Sequence, residues 1–188
     1  MRKLFVEEWI SLDGYTSAKN GSLSFFSSIV RDTYTDGSQV KFLETFDCIL
    51  LGRKTYQQFA NLWPGRSTTE DVLAAKINNT QKIVFSKTLS EAPWGNWQPA
   101  EVENGSAISR IKELKSVSGR NIVLWGSISL AQLLMKQNLV DEFRIHLCPT
   151  ITSGGEKFFT EEINPVTLKL TELKHFNTGI VLLHYQYC

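Results

Sequence analysis

An α/β fold built on one mixed, mostly parallel sheet is what this 188-residue sequence predicts, on three observations. Apolar patterns of strand period and helix period alternate from the N-terminus to about Asn138. Twice, a buried-type strand pattern stops at glycine and passes directly into a helical pattern: the unbroken apolar run Cys48 to Leu51 before Gly52, and Asn121 to Trp125, apolar after its first residue, before Gly126. Such runs suit strands buried on both faces. Beyond Asn138 the helical period is lost and strand-like stretches follow, which predicts antiparallel closing strands.

Lys3 to Ile10 reads as the first strand, rich in β-branched and aromatic residues. Asp13-Gly14 ends it as a turn dipeptide, and residues 15–24 form a small, polar loop. Ser24 to Tyr34 carries Phe25, Phe26, Ile29 and Val30 at helical spacing, and Gln39 to Phe46 continues in the same way after the break at Asp36-Gly-Ser38. Cys48 to Leu51 is the next strand, and after Gly52 the apolar residues Tyr56, Phe59 and Leu62 recur at helical spacing. Trp63-Pro-Gly-Arg66 is a turn, and Ser67 to Glu70 supplies capping groups for a helix through Asn78. Lys82 to Ser86 is a short strand, and Asn96 to Val102 suits an edge strand in an otherwise irregular stretch. Ser106 caps a helix to Ser116, Asn121 to Trp125 is the second buried run, and Ser127 or Ser129 leads a helix with Leu130, Leu133 and Leu134 inward. Glu142 to Thr150, Thr167 to Asn177 and Ile180 to Tyr187 are the closing strands, the last two joined at Asn177-Thr-Gly179. Without a repeat, linker or low-complexity tract, residues 1–188 read as one domain.

A formal net charge of +1 gives no reason to expect nucleic acid or an anionic membrane as partner. Cys48, Cys148 and Cys188 are odd in number and widely spaced, which fits a reduced protein better than a disulfide framework or a zinc site. Glu7 and Glu8 interrupt what would have to be a signal-peptide core, and no apolar run approaches membrane-spanning length, so the cytoplasm is the default compartment.

Chemistry gathers at three strand ends: Gly52-Arg53-Lys54-Thr55, Ser86-Lys87-Thr88 and Gly126-Ser127-Ile128-Ser129. Ligands of open α/β sheets bind beyond the carboxyl ends of strands, where helix N-termini offer free N–H groups and a positive dipole end. Cations and hydroxyls there suit a phosphorylated cofactor. The first end fails as a Walker A loop because Asp47 stands where that motif needs glycine, and no G-x-G-x-x-G occurs. Taken alone, Gly52-Arg-Lys-Thr is as readily an ordinary helix start. Asp13-Gly14 follows a strand end, either as a plain turn or as a loop against the reacting part of a ligand. Trp9, Trp63 and Trp125 sit at element ends, where indoles wall planar pockets or simply pack. His146, His175 and His184 lie in late strands without metal-ligand spacing and read as structural, and no metal site is expected. Asp141-Glu142 reads as an edge or capping pair.

Six segments occur in one order along nearly the whole chain: Ser11-Leu-Asp-Gly14, Leu50 to Tyr56, Lys82 to Ser86, Leu124-Trp-Gly-Ser127, Leu139-Val-Asp-Glu142 and Pro149 to Phe159. In these the chain resembles the dihydrofolate-reductase-like superfamily, in the branch related to the reductase domain of the bifunctional riboflavin-biosynthesis deaminase/reductase. The resemblance implies a three-layer αβα fold, NADPH as hydride donor and a small heterocyclic acceptor, either pterin-like or like 5-amino-6-(5-phosphoribosylamino)uracil. It places Gly52, Arg53 and Thr55 at the cofactor phosphates, with Arg53 or Lys54 near the 2′-phosphate. Ser86 and Lys87 would flank the adenosine, and Gly126 to Ser129 would hold the pyrophosphate. Trp125 would lie beside nicotinamide and substrate, with Asp13 and Gly14 in the loop over the nicotinamide, and Trp9 and Trp63, read from their positions, complete the candidate acceptor pocket. It also implies a homodimer joined through the late strands. The chain departs from the family in Gly126-Ser127, where a Gly-Gly pair is usual, and in Ser153 and Phe158, where glycine and leucine are usual. The carboxylate that dihydrofolate reductases carry on the first helix has only Asp32 and Asp36 as loose counterparts, so Asp13 and Asp36 are the candidate acids. A nucleotide-binding or sensing module without turnover is the alternative.

Overall fold

A computed structural model describes residues 1–23, 37–66 and 71–188. The helix expected over Ser24 to Tyr34, and the candidates Asp32 and Asp36, lie outside the described residues. The strands are β1 (Leu4–Ser11), β2 (Phe46–Gly52), β3 (Gln81–Phe85), β4 (Ala92–Trp94), β5 (Trp97–Glu103), β6 (Asn121–Trp125), β7 (Glu142–Cys148), β8 (Leu168–His175) and β9 (Val181–Tyr187). The helices are α1 (Ser38–Glu44), α2 (Arg53–Leu62), α3 (Val72–Asn79), α4 (Ala107–Ser116) and α5 (Ile128–Lys136).

The strands form one sheet in the order β4-β5-β3-β2-β6-β1-β7-β9-β8. From β5 to β7 every pairing is parallel. Antiparallel pairing is confined to the two margins, β4 on β5 and the β7-β9-β8 end. The unbroken apolar runs fall in the middle, as burial on both faces requires. Ile49, Leu51 and Val123 point into a core with Phe42, Leu43, Leu73 and Ile77 from α1 and α3. Cys48, Leu50, Ile122 and Leu124 point the other way, onto Ile111, Leu114, Leu130 and Leu134 of α4 and α5. The three-layer αβα arrangement follows from these two cores.

Gln39 to Phe46 divides where its burial changes: α1 stops at Glu44, and Phe46 already belongs to β2. The strand β4 was not expected, because three residues centred on Pro93 show no period. All three cysteines are free. Asp141 and Glu142 act at the amino ends of β1 and β7: Asp141 accepts from Leu4 N–H at 2.7 Å and Lys115 Nζ at 2.5 Å, and Glu142 from Lys3 Nζ at 2.6 Å. No helix among the described residues is long and apolar enough to cross a membrane.

Candidate functional site

A cleft opens at the carboxyl ends of β1, β2, β3 and β6, and all three strand ends singled out in the sequence line it. Its floor is set by sheet register. Gly52 of β2 and Gly126 after β6 come together because Leu51 pairs with Trp125. A Cβ on Gly52 would stand 2.2 Å from Ser127 Oγ, and one on Gly126 would stand 2.5 Å from Thr55 Oγ1. Gly126 also holds φ +58°, a left-handed conformation that side-chain-bearing residues rarely adopt. Thr55 Oγ1 accepts from Ser127 N–H at 3.2 Å and ties the two turns together.

Both turns lead into helix N-termini that have no side-chain cap among the described residues. Neither Gly52 nor Ser127 caps its helix with a side-chain hydrogen bond, and neither α2 nor α5 has an acidic residue in its first turn. Arg53 and Lys54 are exposed at the start of α2 and enter no ion pair among the described residues. Two uncapped N-termini beside two unmatched cations form a field built for phosphate. Ser127 itself is left-handed, φ 55° and ψ 67°, so the serine in the second glycine position is accommodated at the strain an L-residue carries there, about 1–2 kcal/mol. Ser86 and Lys87 also line the cleft but are engaged locally. Ser86 Oγ accepts from Thr88 and Leu89 N–H at 3.2 and 3.1 Å, and Lys87 Nζ donates to the carbonyls of Asn104 and Gly105.

The other half of the cleft is aromatic and acidic. Trp9, Trp63 and Trp125 all line it, joined by Phe59, whose ring lies 5.8 Å from Trp125 and 6.1 Å from Trp63. Glu7 is its hidden centre. In register it lies between Trp125 of β6 and Arg144 of β7. Its Oε2 accepts from Trp125 Nε1 at 2.5 Å and Gln39 Nε2 at 2.8 Å. Its Oε1 is 2.9 Å from His146 Nε2 and 3.1 Å from Arg144 Nε. Burial alone would raise this carboxyl, but the His146 hydrogen bond, the Arg144 charge and Gln39 outweigh it and hold the group below its ordinary value. His146 in turn stacks flat beneath Trp9, ring centroids 4.0 Å apart.

Glu8 faces the opposite side of β1. It is buried, its Oε1 accepts only the Trp9 N–H at 3.0 Å, and its Oε2 has no hydrogen-bond partner among the described residues. Burial, with the Glu7 and Glu156 charges added, pushes its carboxyl up to about 8. The folded protein therefore keeps a proton that the unfolded chain releases near 4.5, and stability falls as pH rises between those two values. Glu8→Gln, which fixes the neutral form, is expected to match the parent at pH 4 and to melt several degrees higher at pH 8.5 in thermal scans.

Asp13 and Gly14 are not among the residues lining the cleft. Asp13 is exposed, and its carboxylate accepts from Thr152 and Ser153 N–H at 3.1 and 2.8 Å, pinning the loop after β7. A hydrogen bond from Ser11 and these two N–H groups hold it below its ordinary value, the setting of a structural anion. Sequence reasoning missed Glu7, Glu8, Gln39, Arg144 and Glu156. The one available signal was two adjacent carboxylates inside an otherwise apolar strand.

The model of the RibD C-terminal domain matches residues 2–182. The chain is 28% identical over 188 residues to the uncharacterized protein YyaP of Bacillus subtilis, covering 99% of this chain and 95% of that protein. A putative riboflavin biosynthesis protein from Shewanella sp. PV-4 shares the fold with TM-score 0.76 at 22% identity, over 99% of each chain. So does dihydrofolate reductase from Enterococcus faecalis complexed with NADP(H), with TM-score 0.62 at 12% identity over 98% of this chain and 96% of that one. The fold is dihydrofolate-reductase-like.

Proposed function

The chain belongs to the RibD C-terminal domain family, and from that premise we propose that it is an NADPH-dependent reductase acting on a C=N or C=O group of a small heterocycle. One observation carries the reading: the N-termini of α2 and α5, both uncapped, converge on the interlocked Gly52 and Gly126 turns beside Arg53 and Lys54. When bound, NADPH supplies the hydride. Gly52 to Thr55 and Gly126 to Ser129 would hold its phosphates, with Arg53 or Lys54 at the 2′-phosphate, while Ser86 and Lys87 border the adenosine end. Trp9, Trp63 and Trp125 would keep the acceptor flat and exclude water. Glu8, protonated near neutrality, fits the acid that completes the reduction better than Asp13, which is committed to the loop. Calorimetric titration is expected to give tighter binding of NADPH than of NADH. Arg53→Ala should weaken NADPH by about 1.5–3 kcal/mol, on the order of tenfold to a hundredfold. Equal affinity for the two nucleotides would overturn the 2′-phosphate assignment.

A nucleotide-binding or sensing module is favoured by one observation, the engagement of Asp13 away from the cleft. Steady NADPH oxidation with any pterin or ribosylaminopyrimidine acceptor eliminates it. A cytoplasmic homodimer completes the proposal. β8 is an open sheet edge with Leu170 and Leu173 exposed, which suits a second copy.

A further inference from the structure

Side chains alternate across a strand, so Glu7 and Trp9 of β1 share one face of the sheet. Register sets their neighbours there: Trp125 of β6 and Arg144 of β7 flank Glu7, and His146 of β7 flanks Trp9. Glu7, Trp9 and Trp125 all line the cleft. The two indoles are held in different ways, yet both holds run through the same carboxylate. Trp125 Nε1 donates to Glu7 Oε2 at 2.5 Å, which fixes the turn of that ring about its side-chain torsions. Trp9 stacks 4.0 Å from His146 with the planes 5° apart, so the imidazole sets the plane of the indole. A carboxylate only accepts, so His146 donates its Nε2–H to Glu7 Oε1 at 2.9 Å. His146 Nδ1 is buried with no partner among the described residues, which leaves the Glu7 bond as the one polar restraint on the imidazole plane among them.

We infer that Glu7 is the positioning residue of the acceptor pocket: one buried carboxylate fixes both indole walls, and with them the plane in which a flat heterocycle meets the nicotinamide. The inference rests on the reductase reading of the same cleft and deepens it. Both oxygens of Glu7 are engaged, by Trp125 and Gln39 on one and by His146 and Arg144 on the other. Glu7 is also 3% exposed, so it acts on a ligand through the rings and not by touching it. Orientation is what hydride transfer needs from such walls, since a displacement near 1 Å costs on the order of a hundredfold.

The test is Glu7→Asp, which keeps the charge that balances Arg144 but draws the carboxylate back by one carbon–carbon bond, out of reach of both rings at once. Near-ultraviolet circular dichroism reads how firmly each indole is held, and the bands are identified by difference against Trp9→Phe, Trp125→Phe and Trp94→Phe. The Trp9 and Trp125 bands are expected to lose most of their intensity. The Trp94 band, from an indole bonded to Asn78 Oδ1 at 2.7 Å and away from Glu7, should stay. With whichever pterin or ribosylaminopyrimidine the parent reduces, kcat should fall at least about tenfold, by more than KM rises, with NADPH affinity unchanged. Ile111→Ala, a core truncation against the other face of the sheet, should lower the melting temperature and leave both bands in place. His146→Phe keeps a flat ring under Trp9 but cannot bond Glu7, so it should weaken the Trp9 band alone, and it decides the matter if Glu7→Asp does not fold. Unmoved Trp9 and Trp125 bands, a loss shared equally by Trp94, or a rise in KM with kcat intact would overturn the inference. If both bands fall in a protein that neither binds nor oxidises NADPH, the hold on the rings stands and the reductase reading fails alone.

Discussion

Glu7→Ala is expected to lower the free energy of unfolding at neutral pH by about 3–5 kcal/mol, the loss typical when one partner of a buried ion pair is removed. The side chain is 3% exposed and meets four groups at once: Trp125, Gln39, His146 and Arg144. Without it Arg144, itself 3% exposed, keeps a buried charge with no counter-ion among the described residues, and the Trp125 and Gln39 donors lose their acceptor. Because the folded carboxyl titrates below its ordinary value of 4.5, its contribution is complete above that value and fades as pH falls through the lower one. The parent and the variant should therefore converge in acid and separate toward neutrality, which urea titrations at several pH values would measure. Pairing Glu7→Leu with Arg144→Met removes both charges and should recover the part of the loss owed to the unpaired guanidinium, while the Trp125 and Gln39 donors stay without their acceptor. A single variant within 1 kcal/mol of the parent, against the ~3 kcal/mol floor expected of a buried pair, would mean that the cluster is not an electrostatic unit.

That cluster also marks where the sequence ceased to be informative. β2 and β6 were legible because Cys48 to Leu51 and Ile122 to Trp125 are unbroken apolar runs, which suit a strand covered on both faces. The glycines that follow them were legible for the same local reason, since the next residues resume at helical spacing. Glu7 and Glu8 were not. Two adjacent carboxylates in a strand read as exposed, and only the flanking of β1 by β6 and β7 buries them. Arg144 lies 137 positions further along the chain than Glu7, and nothing near either residue announces the other. For Asp13 the fold supplies partners that its sequence neighbourhood does not show. Its place after a strand end suggested chemistry, whereas its partners, the N–H groups of Thr152 and Ser153, give it a fastening role that needs the loop after β7 in place. Trp9 and Trp125 were located by position at element ends, yet their roles come from cross-strand neighbours: His146 under one ring, and Glu7 on the indole N–H of the other.

Gly126→Val is expected to remove nucleotide binding while leaving a folded protein. The position has φ +58°, where a β-branched residue is strongly disfavoured, and its Cβ would stand 2.5 Å from Thr55 Oγ1 and 2.9 Å from Thr55 Cγ2. Relief must come from the α2 start or from the turn before α5, and either movement pulls apart the two N-termini proposed to hold the phosphates. A displacement of this kind, near 1 Å, costs on the order of a hundredfold. The strain itself is about 1–2 kcal/mol, too little to unfold a typical domain, whose total stability is roughly 5–15 kcal/mol. Thermal melts with and without NADPH would separate the two effects: the apo midpoint should drop by a few degrees, while the shift produced by saturating nucleotide should vanish. Ser127→Gly has the opposite sign. It releases the left-handed serine at φ 55° and frees no clash, so the apo protein should gain up to about 1 kcal/mol and keep its nucleotide-induced shift. A valine variant that retains the full shift would place the phosphates elsewhere than on the Gly52 and Gly126 turns.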